Sequence, residues 1–98
     1  MTIDRGLLAI LETKAGKGDE MESFLQQARE LALAEEGTAT WYAFRLADTT
    51  FGIFDTFADE DARLAHLSGQ IPAALGKIGP AILAVDPDIR QLDVIAVK

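Results

Sequence analysis

Few residues in this chain have the chemistry to act on a bound molecule. His66 is the only histidine, and it sits in the stretch FADEDARLAHL, Phe57 to Leu67. An imidazole, with an ordinary pKa of roughly 6.5, suits general acid–base work near neutral pH. It is equally readable as a half-exposed ring bonded to backbone or to a nearby acid. Asp55 alternates with Phe51, Ile53 and Phe57, so its carboxylate falls on a mostly apolar face and needs a partner. It reads as a base of raised pKa or as an ion pair with Arg45 or Arg90. Arg45 shares a strand face with Trp41, where a guanidinium can hold an anion or steady charge developing on oxygen. The alternative is an ion pair across the sheet or across a dimer. Trp41 can stack on an aromatic ring or fill a core or interface. Tyr42 points to the opposite face, to donate a hydrogen bond or to pack with Phe44. Phe54 and Phe57 complete the aromatic set. One histidine without clustered carboxylates is a poor metal site, so no metal is expected.

The elements that position these residues follow from periodicity. GLLAILET, Gly6 to Thr13, is apolar on both faces and reads as a strand covered on both sides. Asp19 to Glu35 reads as a helix with Met21, Phe24, Leu25, Ala28, Leu31 and Ala32 on one face. Leu33 falls off that stripe. Asp19 and Glu22 have capping-box spacing, and Gly37 suits a left-handed stop. TATWYAFRL, Thr38 to Leu46, and FGIFDTF, Phe51 to Phe57, read as a hairpin.

Asp59 can cap a helix reaching about Gly69, and the acids of ADEDA complement its dipole. On that helix Leu64, Leu67 and Ile71 form the apolar stripe, with His66 away from it beside Ala62 and Gly69. Pro72 suits the first turn of a further helical piece, which Gly79-Pro80 should interrupt. IRQLDVIAV, Ile89 to Val97, is the last strand. The order β-α-β-β-α-β gives an α+β, ferredoxin-like fold: a four-stranded antiparallel sheet with helices on one face.

The 98 residues suit a single domain spanning 1–98, and 49% apolar content is ample for a core. Nine Lys plus Arg stand against sixteen Asp plus Glu, a formal net charge of −7. That argues against nucleic acid and against anionic membranes. No cysteine is present, so there is no disulfide and no thiol nucleophile. The start MTIDRGLLAILETK lacks the length and cleavage site of a signal peptide, and no apolar run is long enough to span a bilayer. A cytoplasmic protein is the expectation. The strands are apolar on both sides, yet the helices can cover only one. A second copy packed sheet to sheet is the expected cover, making a homodimer.

Two stretches resemble a known family. EEGTATWYAFR is similar to the second-strand segment of antibiotic-biosynthesis-monooxygenase domains: an acid, a Gly, then an aromatic and an Arg. FDTFADEDARLAHL resembles their next signature, commonly Tyr-Glu-x-Trp, an Ala-containing helix start and His-Leu. The resemblance runs from about Gly6 to Val97. It implies a dimeric α/β barrel and, for some members, oxygenation of phenolic polyketides without metal or flavin. On that reading His66 or Asp55 is the base toward a small phenolic or apolar ligand. Trp41, Phe54 and Phe57 wall its pocket, Tyr42 is a further binding residue, and Arg45 stabilises the anion. The family often has Tyr, Glu and Trp where this chain has Phe54, Asp55 and Phe57. The haem-degrading branch resembles an Asn, Trp and His constellation; this chain has no asparagine, and Phe57 stands at the Trp position. Two other readings remain: a non-catalytic or stress-related binding barrel, and an isomerase or lyase acting on a small hydroxy-carbonyl compound. The last would need more polar groups than are evident.

Overall fold

A computed structural model describes residues 3–98. The first two residues of the run weighed above against a signal peptide lie outside the described residues. Alternation along the chain yields β1 (Arg5–Glu12), β2 (Thr38–Arg45), β3 (Thr50–Phe57) and β4 (Asp88–Asp93). Helical spacing yields α1 (Gly18–Leu33), α2 (Glu60–Leu67) and α3 (Gln70–Ile82). The strands pair antiparallel in the order β2-β3-β1-β4, the ferredoxin-like topology expected, with the second helical region divided in two.

Register sorts the side chains into two layers. Trp41 pairs with Asp55 and Asp55 with Leu7, so all three share one face. The helices cover that face: Leu7, Leu11, Phe51, Ile53 and Phe57 are buried with Met21 and Leu25 of α1 and Ile71, Leu75 and Ile82 of α3. Burying a side chain of this size contributes about 1.5–3 kcal/mol. The other face presents Leu8, Ile10, Phe44 and Phe54, all partly exposed, and an exposed Tyr42.

Several local expectations are corrected. Asp19 does not cap α1: the helix starts one residue earlier, Lys17 at the cap position makes no side-chain cap bond, and Asp19 joins Glu20 in the first turn. Gly37 is not left-handed; Gly16, at φ 80°, is the only described residue with positive φ. Gly37 is needed for space instead, because a Cβ there would lie 2.7 Å from the Cβ of Ala62 on α2. Pro80 does not break α3, which runs on to Ile82. Proline removes one N–H only, and here it lies close to the helix end. The last-turn carbonyls find partners outside the helix: Lys14 Nζ donates to Pro80 O at 2.8 Å and Lys14 N to Ile82 O at 2.8 Å. β4 stops at Asp93 rather than Val97, because Asp93 already faces Arg5, the first residue of β1. Asp59 does cap α2, its carboxylate accepting from Ala62 N at 2.8 Å.

The buried side of α2 is the largest revision. Leu64 is exposed, and the residues α2 buries are Arg63 and His66. Arg63 holds Glu60 through two bonds of 2.6 and 2.8 Å and reaches the Gly6 and Leu92 carbonyls at the end of the sheet. A polar partner for Asp55 takes the place that a leucine stripe would have filled.

Candidate functional site

Strand β3 delivers Asp55 to the helix-covered face, where it is 1% exposed. Capped by Asp59, α2 brings His66 over the strand, with Nε2 2.9 Å from Asp55 Oδ2. The contact is a charge contact rather than an aligned hydrogen bond, for among the described residues neither Asp55 oxygen has a directed donor. The Trp41 indole N–H, on the residue facing Asp55 in the sheet register, is likewise buried without a partner. Phe57 flanks the imidazole, ring centroids 5.3 Å apart and tilted 45°.

Glu35 closes the other side of the ring. It lies in the connection between α1 and β2, and His66 Nδ1 is 2.6 Å from its Oε1. Thr38 donates to the same oxygen at 2.7 Å. A β-bulge makes that bond geometrically possible. The register shifts between Thr38 and Thr40, so Thr38 faces Phe57 on the inner side while Thr40 faces Thr56 on the outer side. Burial acts against charge on the imidazole and is the largest influence on it. The Asp55 and Glu35 carboxylates together outweigh burial, and the His66 pKa rises above its ordinary 6.5.

Two clefts meet at Glu35. The larger, about 720 Å³, runs between α1 and β2; Leu25, Ala32, Trp41 and Phe51 give it apolar walls, with Arg29 and Glu35 among its polar ones. Leu33, which fits no core stripe, is exposed along it. The smaller, about 270 Å³, lies between the α1–β2 connection and α2 and is lined by Glu35, Ala62, His66 and Gly69. The small residues beside His66 thus leave open space.

The predicted residues divide accordingly. His66, Asp55 and Phe57 come together, and Trp41 adjoins them. Arg45 does not pair with Asp55. It lies along the larger cleft and spends four of its N–H groups on Asp19, Glu22, Ala47 O and Asp48 O. Its guanidinium also sits 4.9 Å above the Phe51 ring. Arg90 pairs with Asp88 instead of Asp55. Phe54 does not wall a pocket with Trp41 and Phe57, because strand alternation puts it on the opposite face; Tyr42 shares that face but still borders the larger cleft along β2. The sequence reading missed Glu35. The acid of EEGTATWYAFR was visible, but nothing in spacing separates Glu35 from Glu36. Among the described residues no group of three His, Cys, Asp or Glu side chains is arranged to hold a metal ion.

No protein-family model matches the chain, and no curated protein matches it. A protein of unknown function from Nitrosomonas europaea is 42% identical, with 98% of this chain and 93% of that one covered and a TM-score of 0.96. A candidate antibiotic biosynthesis monooxygenase from Caulobacter crescentus is 26% identical over 96% of this chain and 92% of its own, TM-score 0.77. A second candidate monooxygenase of that kind, from Nitrosomonas europaea, shares the fold at 12% identity, TM-score 0.82, over 97% and 93% of the two chains. With a full-length relative at that identity and this set of folds, the chain belongs to the family of antibiotic-biosynthesis-monooxygenase-like ferredoxin-fold proteins.

Proposed function

We propose that the protein is a monooxygenase that oxidises a small phenolic compound with molecular oxygen and no cofactor. The observation that carries this reading is a buried imidazole held between two carboxylates, one of which lines an aromatic-walled cleft of about 720 Å³. The cleft suits one aromatic ring, with Trp41 and Phe51 as walls. The Glu35–His66–Asp55 group would handle the hydroxyl proton, and the resulting phenolate is the electron-rich form that oxygen can oxidise.

The overall reaction balances as phenol plus O2 giving quinone plus water. The ring loses its hydroxyl hydrogen and the hydrogen para to it, and that carbon gains one oxygen atom. Both hydrogens leave with the second oxygen as water, and the substrate's four electrons reduce O2. The protein supplies orientation, exclusion of water and placed charge. Arg45, already bound to Asp19 and Glu22, would shape the cleft end and act on an anion only through its remaining N–H.

The apolar outer face supports a homodimer packed through Leu8, Ile10, Phe44 and Phe54. Analytical ultracentrifugation tests it: a dimer that Phe54→Glu dissociates is expected, and a monomer at micromolar concentration would overturn it.

Oxygen uptake with a panel of phenols and hydroquinones, without added metal or flavin, tests the activity. Quinone formed in equal amount to oxygen consumed is expected, and no uptake with any of them contradicts it. A second reading, a binding barrel without turnover, has one observation in its favour: Asp55 lines neither cleft and His66 only the smaller. A ligand-dependent rise in Tm with no oxygen consumed would establish it.

A further inference from the structure

We infer that Glu35, rather than His66 or Asp55, is the residue that touches a hydroxyl bound in the α1/β2 cleft and takes its proton. The inference rests on the reading above that this cleft binds a phenol.

Placement separates the three groups. Asp55 is closed off, 1% exposed and absent from the walls of both clefts. His66 lines only the smaller cleft, and each of its ring nitrogens faces a carboxylate. With both nitrogens protonated, the ring has no lone pair to offer a substrate. Glu35 lines both clefts, and its side chain is 21% exposed.

Its two oxygens are used unequally. Oε1 meets both Thr38 Oγ1 and His66 Nδ1, while Oε2 accepts no hydrogen bond from the described residues. Gly69 keeps the ground beside Oε2 clear: a Cβ there would stand 3.1 Å from it. One oxygen is therefore fixed and the other is free, the arrangement needed to hold a base still while it reacts. The charged groups around it are His66 on α2, Asp55 on β3, Glu36 beside it in the connection, Glu22 and Arg29 on α1 and Arg45 on β2.

In the step itself the substrate O–H bond breaks and an O–H bond forms on Glu35. The electron pair stays on the phenolate oxygen, and the proton passes to solvent from the partly exposed carboxyl. His66 and Asp55 are positioning residues that fix Glu35 from behind.

The test uses the intact chain with p-nitrophenol, whose colour reports its ionisation. A carboxylate accepting the dye's O–H favours the neutral phenol and moves the bound dye's midpoint up from that of the free dye; an imidazolium donating to it moves the midpoint down. An upward shift is expected, abolished in Glu35→Gln and kept in Glu35→Asp. Glu35→Gln should also slow oxygen uptake by about 10²–10⁴-fold in kcat/KM, as loss of a general base does. A downward shift, or one unchanged in Glu35→Gln, overturns the assignment. The two readings fail separately. An upward, Glu35-dependent shift with no oxygen uptake leaves the contact and removes the oxygenase. Undiminished uptake in Glu35→Gln does the reverse. Failure of the dye to bind, together with no oxygen uptake from any phenol of the panel, removes both.

Discussion

Two of the ionic clusters that tie helix to sheet among the described residues differ in almost every physical respect. In one, His66 and Asp55 meet at 2.9 Å with side chains 7% and 2% exposed. In the other, Arg45 meets Asp19 and Glu22 at 3.2 and 3.1 Å, but Asp19 is 96% exposed. The exposed cluster exchanges water for a partner that water can replace. The buried one has no such alternative, so each of its members depends on the others. By residue type and strand or helix position alone, Arg45 and His66 have similar standing as functional candidates. Burial separates them.

The sharpest way to break the comparison is to remove one buried partner. His66→Leu leaves the Asp55 carboxylate buried without a cation and should cost about 3–5 kcal/mol in urea unfolding. The double variant His66→Leu/Asp55→Leu should recover much of that loss, because the fully buried carboxylate is gone and the one left without its imidazole partner, Glu35, is partly exposed and keeps its bond from Thr38. A double variant as unstable as the single one would show that the pair itself, rather than the stranded charge, sets the stability.

Next in size is the fit of α2 against the connection that carries Glu35. Gly37→Val forces a side chain toward Ala62, where even a Cβ would stand 2.7 Å away. A loss of about 1–3 kcal/mol is expected, as for other overpacked positions. Removing the cap of α2 with Asp59→Ala should cost about 1 kcal/mol by the same measurement.

Smallest of all should be Arg45→Ala. It is expected to leave the unfolding midpoint almost unchanged, and added salt should shrink even that effect. A loss matching that of His66→Leu would erase the distinction between the clusters.

The pH dependence follows from the same contrast. His66 has a raised pKa in the folded protein. Its contribution is therefore complete below the ordinary 6.5 and is lost as pH rises through the higher folded-state value. Urea midpoints measured upward from pH 6 should fall across that window in the wild type and stay flat there in His66→Leu.

Most of the architecture was legible. The apolar run of β1 from Leu7 to Leu11 and the α1 stripe from Met21 to Ala32 each carry a pattern that burial enforces. The site was legible in types but not in assembly. Asp55 on an apolar face announced the need for a partner, yet no local rule chose His66 over Arg45 or Arg90, since that choice is made by the packing of α2. The apolar stripe through Leu64 misled because helical spacing records hydrophobicity, whereas Asp55 needed a cation on that face. Glu35 was hidden by a bulge at Thr38 that no periodicity reveals. Phe54 was misplaced against strand alternation, which already put it opposite Asp55.

The most direct test of the account is a 15N NMR titration of the His66 imidazole, unambiguous because the chain has one histidine. With carboxylates on both nitrogens, the ring should titrate above 6.5, carry protons on both nitrogens below that midpoint, and move down in Asp55→Asn and in Glu35→Gln. A midpoint at or below 6.5, unmoved by either substitution, would contradict the doubly held imidazolium on which the site is built.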